Sequence, residues 1–104
     1  MRLVRLCSVD DVDTGSARRF DLEGHRIALI RIENDFYAIG DRCSHANVSL
    51  SEGEVYAKER EIECWKHGST FSLVTGEPQS LPATKPVPVY EVAVEDGDVM
   101  VKLP

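Results

Sequence analysis

At 104 residues, with 42% apolar and 29% charged side chains, the chain has the make-up of one small folded domain and not of a disordered tail. Its net charge of −6 is scattered without a basic stripe, which argues against nucleic acid and anionic membrane surfaces as partners. No apolar run approaches the length of a membrane span, and the opening Met1-Arg2-Leu3-Val4-Arg5-Leu6 reads as a strand, not as an anchor or export signal.

Alternation with period two dominates, and no segment holds helical spacing. Strands are predicted at about 2–6, 18–22, 25–32 and 35–40, with turns at Glu23-Gly24 and Asn34-Asp35. Cys7, at the end of the first strand, reads as a small buried hydrophobe. His25, beside Gly24, reads as a surface residue of a turn. From 41 to 80, Ser, Gly and charge interrupt the apolar rhythm, and short strands near 53–56, 61–64 and 70–74 are expected to frame two loops. Within them, Glu59-Arg60-Glu61-Ile62-Glu63 reads as a charged hairpin with alternating exposure. Four prolines then punctuate 78–88. The clearest hairpin closes the chain: Val92 and Val94, an Asp96-Gly97 turn, then Val99 and Val101. With no internal repeat, low-complexity tract or linker, residues 1–104 are expected to form a single domain.

Chemistry concentrates in two loops, Cys43-Ser44-His45 and Cys64-Trp65-Lys66-His67, with eighteen residues between His45 and Cys64. Each contributes one thiolate and one imidazole. A four-ligand zinc site uses the same residue types, but its paired ligands are usually separated by two or more residues. The single residue between Cys43 and His45 is tight for one tetrahedral ion, whereas a two-iron cluster accepts both side chains from one turn. Zinc and a metal-free pair of loops stand as the competing readings.

The pattern C-x-H-x18-C-x-x-H resembles the ligand motif of the Rieske family, in which two His replace two Cys on one iron of a [2Fe–2S] cluster. By that resemblance, Cys43 and Cys64 hold an inner iron and His45 and His67 an outer one, with one cluster per chain. Two ferric ions, two sulfides and two thiolates sum to neutrality, whereas four thiolates leave a dianion. Reduction is therefore easier, and family potentials run from roughly −150 to +300 mV, against about −400 mV for four-Cys plant-type ferredoxins. The implied fold is all-β: an antiparallel β base built from both ends of the chain, with an inserted cluster-binding subdomain at about 41–80. The resemblance covers nearly the whole chain and is strongest from Ile39 to Tyr90.

Details around the motif refine this expectation. Gly68 sits where the second loop must turn back. Ser69 occupies the position of a serine that donates to a cluster sulfide in high-potential members, but Phe71 stands where those members have a tyrosine donor to sulfur. Their extra pair of disulfide-bonded cysteines is absent too. These features imply a lower-potential ferredoxin, near roughly −150 mV. Trp65 is expected to shield the cluster, the commoner outcome for a Trp in a small site, with an aromatic surface for a partner as the alternative. Lys66 is expected to be a solvated surface residue, with offsetting nearby acid charge or docking a partner as its alternatives, and 78–88 to include a segment packed over the cluster.

Only three His are present, and two are claimed by the motif. The mononuclear iron of a Rieske oxygenase, held by two His and a carboxylate, is therefore not available. Nor is there a Gly-rich dinucleotide motif. The chain is expected to have no catalytic residues and to act as a one-electron carrier between a reductase and a terminal oxygenase, resembling the ferredoxin component of bacterial aromatic-ring dioxygenases. A Rieske ferredoxin serving iron–sulfur cluster assembly, a small subunit of a nitrite-reductase-like enzyme and a zinc-stabilised binding module are the alternatives. A monomer in the cytoplasm is expected, and its acidic charge could steer it to a basic patch on a partner.

Overall fold

The computed structural model describes residues 2–44, 46–66 and 68–104. Strands run in chain order as β1 (Arg2–Ser8), β2 (Ser16–Leu22), β3 (His25–Ile32), β4 (Asp35–Gly40), β5 (Val55–Tyr56), β6 (Glu61–Glu63), β7 (Thr70–Ser72), β8 (Val89–Tyr90), β9 (Val92–Glu95) and β10 (Asp98–Leu103). They form three antiparallel sheets, ordered β1-β10-β9, β2-β3-β4-β8 and β5-β6-β7. The first contains both ends of the chain: Arg2 pairs with Leu103, and a bulge between Arg5 and Cys7 shifts the register. The all-β class and the base built from both chain ends agree with the sequence expectation.

Strand β3 organises the molecule. Its central Ile27-Ala28-Leu29-Ile30 run is buried on both faces, unlike the half-exposed alternation of its neighbour β2. On one side Ile27 and Leu29 join Cys7, Val12, Ala38, Val99, Val101 and Leu103 in the core between the two larger sheets. On the other side Ala28, Ile30 and Ile32 join Ile39, Leu50, Ile62, Phe71 and Leu73 beneath the 41–80 region. Each fully buried Ile or Leu contributes roughly 1.5–3 kcal/mol. One strand thus anchors the small sheet to the base.

Several local expectations need correction. The β3–β4 turn lies at Glu33-Asn34, since Ile32 pairs with Asp35, one residue earlier than expected. Glu33 takes the left-handed conformation there, as Glu23 and Asp96 do in their own two-residue turns. Single 3₁₀ turns occur at Val9–Asp11 and Leu50–Glu52, where no helix was expected. The first is held by a reciprocal cap between Ser8 and Asp11. His25 belongs to β3 and is half-buried, with Nδ1 3.1 Å from the Tyr90 hydroxyl and the two rings edge to face. Cys7 is buried as expected, and burial raises its thiol pKa.

Candidate metal centre

Two short loops, one following β4 and closed by the Arg42–Ser49 bridge and the other joining β6 to β7, have backbones that close alike. In the first, the Cys43 N–H donates to the Val48 carbonyl at 3.1 Å. In the second, the Cys64 N–H donates to the Ser69 carbonyl at 2.7 Å. Each cysteine therefore stands at the foot of a six-residue loop, donating to the carbonyl five positions on. This correspondence was invisible in the sequence, because the two loops share only the Cys and an unevenly spaced His. In the second loop the Gly68 N–H also donates back to the Cys64 carbonyl at 2.9 Å, with Gly68 at φ +77°. The left-handed turn expected there is present.

Both cysteines are buried and belong to one apolar cluster with Leu50, Ile62, Phe71, Ala83 and Val87. Neither is in a disulfide. His45 and His67 lie outside the described residues. The described donors fit a cluster of the mixed-ligand kind: two thiols in one apolar floor, each at the root of a loop, suit the soft, buried end of such a group. A cavity of about 430 Å³ opens beside Cys43, lined by Arg42, Ser44, Ala46, Asn47 and the 86–88 prolines and valine.

Ser69 is fully buried, and its Oγ accepts the Ala83 N–H at 3.0 Å. An oxygen used as acceptor in this way still has its own hydrogen to give. Phe71 is equally buried and pairs with Ile62 across β6 and β7, so no hydroxyl stands at that position.

The proline segment joins the two loops. Ala83 is tied to Ser69 of the second loop, while the Ser44 hydroxyl of the first donates to the Lys85 carbonyl at 2.5 Å. Val87 N–H bonds to the Gly76 carbonyl at 2.9 Å, and Gly40 N–H to the Pro88 carbonyl at 2.8 Å. Residues 83–88 are thus a strap fastened at both ends and to both loops.

Beneath the first loop lies a buried polar clamp that sequence reasoning missed. The Asp41 carboxylate is fully buried; Oδ1 accepts the Ser51 N–H at 3.0 Å and Oδ2 faces Arg26 Nη2 at 3.5 Å. The same Nη2 donates to Ser49 Oγ at 3.3 Å, and the Asp41 carbonyl accepts Leu50 N–H at 2.6 Å. The two feet of the loop are therefore fixed by charge as well as by pairing. Only an Asp two residues before Cys43 hinted at this. Beside the second loop, Tyr56 donates to Glu63 Oε2 at 3.0 Å, and that bond, with burial and Glu54, pushes its pKa up to about 12.

Trp65 departs from its expected shielding role: it is 55% exposed, as is Leu81 at 78%. Lys66 is exposed as expected.

Fold and loops together define a small antiparallel iron–sulfur protein. The model of the Rieske [2Fe-2S] domain matches residues 2–91, so the chain belongs to that family, whose prosthetic group is a Rieske-type [2Fe–2S] cluster. It is 44% identical over 104 residues to the 3-phenylpropionate/cinnamic acid dioxygenase ferredoxin subunit of Escherichia coli (strain K12), spanning 100% of this chain and 96% of that one. Among solved structures, the ferredoxin of carbazole 1,9a-dioxygenase from Nocardioides aromaticivorans IC177 superposes with a TM-score of 0.93 at 35% identity, covering 97% of each chain. A chain in the complex of reduced oxygenase and oxidised ferredoxin of carbazole 1,9a-dioxygenase does so with a TM-score of 0.87 at 38% identity, covering 98% of this chain and 97% of that one. No described helix is long and apolar enough to cross a membrane.

Proposed function

We propose that the chain, acting as one Rieske domain over 1–104, carries single electrons from a reductase to the terminal oxygenase of a ring-hydroxylating dioxygenase in the cytoplasm. The observation that carries this reading is the pair of matching loops, each rooted on a buried cysteine of one apolar cluster. Full-length likeness to a dioxygenase ferredoxin subunit supports the choice of partners. Cys43 and Cys64 would hold one iron of the cluster and His45 and His67 the other. When bound, the cluster supplies a one-electron couple and no bond-making chemistry. Ser69, whose Oγ accepts the Ala83 N–H, would have its hydroxyl hydrogen free to give to a sulfur of the cluster. The strap and the Asp41 clamp hold both loops in one geometry, which keeps reorganisation small. No substrate-converting residues are assigned to this chain.

The test is reconstitution. Purified protein should be coloured, contain two irons per chain, and show in its reduced form the low average g of mixed His/Cys ligation. Supplied with reductase and oxygenase from its own system, it should stimulate aromatic hydroxylation. A colourless protein with stoichiometric zinc would overturn the cluster assignment, and a coloured one giving no turnover would overturn the partners.

A further inference from the structure

The chain holds twelve Lys and Arg residues, and most are already committed. Arg2, Arg5, Arg19, Arg26, Arg60 and Lys102 are in ion pairs. Arg18 and Arg31 donate to backbone carbonyls and lie over the rings of Phe20 and Phe36. Lys58, in the β5–β6 connection between Ala57 and Glu59, is exposed and in no ion pair among the described residues, and the remaining three, Arg42, Lys66 and Lys85, are of the same kind. All three are exposed, and among the described residues none has a carboxylate partner.

They also share a location. Arg42 precedes Cys43 and lines the cavity that Pro86 closes. Lys66 is in the second loop, beside Trp65. Lys85 belongs to the strap, and its carbonyl receives the Ser44 hydroxyl of the first loop. Segments 42–50, 64–69 and 79–88 contain none of the chain's 18 carboxylates. Glu63, just before Cys64, accepts the Tyr56 hydroxyl and keeps its charge, with Oε1 beside Gly68, so three cations stand against this one carboxylate at the edge of the tip. The same segments display the exposed Trp65 and Leu81 side chains, with Pro82 and Pro86 exposed near Leu81.

We infer that this tip is the docking face for a redox partner whose own surface is acidic: carboxylates of the partner pair with Arg42, Lys66 and Lys85 around an apolar contact with Trp65 and Leu81. The inference rests on the electron-carrier reading above. A net charge of −6 favours the opposite, a basic partner, and that was the expectation from composition. Local charge decides at contact, because beyond a Debye length of about 8 Å at physiological salt the acidic body is largely screened. An apolar centre ringed by charges is also how interfaces combine affinity with orientation.

Small redox and quenching probes read the sign of the tip directly. The reduced protein gives one electron to ferricyanide, an anion, yielding ferrocyanide, or to hexaammineruthenium(III), a cation. With a basic tip, the ferricyanide rate falls about twofold from 100 to 500 mM salt, a range in which the acidic body beyond about 10 Å is already screened, while the ruthenium rate rises. Independently of electron transfer, and with each quencher normalised to its effect on free N-acetyltryptophanamide, iodide should quench the fluorescence of the single Trp65 about twofold better than caesium ion at about 100 mM salt. Lys66→Glu/Lys85→Glu reverses both preferences, whereas Arg5→Glu/Arg18→Glu, with the same change in net charge placed on the base strands, leaves them. A ferricyanide rate that climbs with salt in the wild-type protein, or stronger quenching by caesium, overturns the acidic-partner assignment. A protein without iron colour fails the carrier reading instead, so the two failures are separable.

Discussion

Gly53→Ala isolates what holds the two cysteine loops at their proper separation. Gly53 has an ordinary extended backbone, so alanine meets no conformational penalty of its own. The obstacle is a neighbour: a Cβ there would stand 1.6 Å from the Glu63 carbonyl oxygen, where real Cβ contacts essentially never fall below 3.0 Å. Relief requires the chain after the first loop to move away from the residue that precedes Cys64 by at least the difference. That movement breaks the 2.9 Å bond from Glu63 N–H to the Glu54 carbonyl. Overpacking costs about 1–3 kcal/mol and the lost hydrogen bond about 1 more. A total near 3 kcal/mol lowers Tm by roughly 10–20 °C in a domain of this length. Because Cys64 follows Glu63 directly, its loop shifts against that of Cys43, and iron retention falls along with Tm. The assay is iron per chain and visible absorbance after desalting, with a thermal scan of the same sample. Gly24→Ala is the control: its φ of +84° disfavours a side chain, but no atom lies within 4 Å of the new Cβ, so it loses stability and keeps its iron. Full iron in Gly53→Ala, with Tm within about 4 °C of wild type, would refute the close-approach argument.

Ser69→Ala removes one donor to the cluster's sulfur, and the reduction potential should fall by tens of millivolts, about what one hydrogen bond supplies to a one-electron couple; protein-film voltammetry checks this, and an unchanged potential rules out the donor role. Tyr56 contributes stability that is fully present below its ordinary pKa of 10 and disappears as pH rises through about 12, because the fold raises that pKa. The stability gap between wild type and Tyr56→Phe should therefore close across that window in urea melts, and ultraviolet titration should show the late-ionising step of Tyr56 disappear in the variant, while Tyr90, raised by burial, still ionises above its ordinary value. Cys7→Ala should keep full iron and colour while losing about 1 kcal/mol in denaturant unfolding, whereas Cys43→Ala and Cys64→Ala should lose the chromophore.

Much of the base was readable because its strands obey a short rule. Val99 and Val101 alternate with exposed or half-buried neighbours, and Asp96-Gly97 is a strong turn pair. The uninterrupted apolar run of β3 was legible as a strand, but not as the partition between two cores, since a run buried on both faces does not say what lies on each. In the site, the ligand spacing was local and therefore visible. The Asp41–Arg26 clamp, the contact of Gly53 with Glu63 and the His25–Tyr90 pair each join residues far apart in the chain, and no local pattern announces them. Trp65 was misjudged for a related reason: its residue type favours burial, but the turn beginning at Cys64 sends it outward.

The sheet that holds the chain's two ends imposes a schedule on folding. β1 finds its partner only in β10, the last strand to be synthesised, while β2, β3 and β4 pair with sequence neighbours as soon as they exist. Contacts that span the whole chain close slowly, so β1 waits unpaired while the two cysteine loops are already made. Until β10 is in place, Cys7 lacks Val99, its partner across the sheet, and the Val101 and Leu103 side chains of the same core.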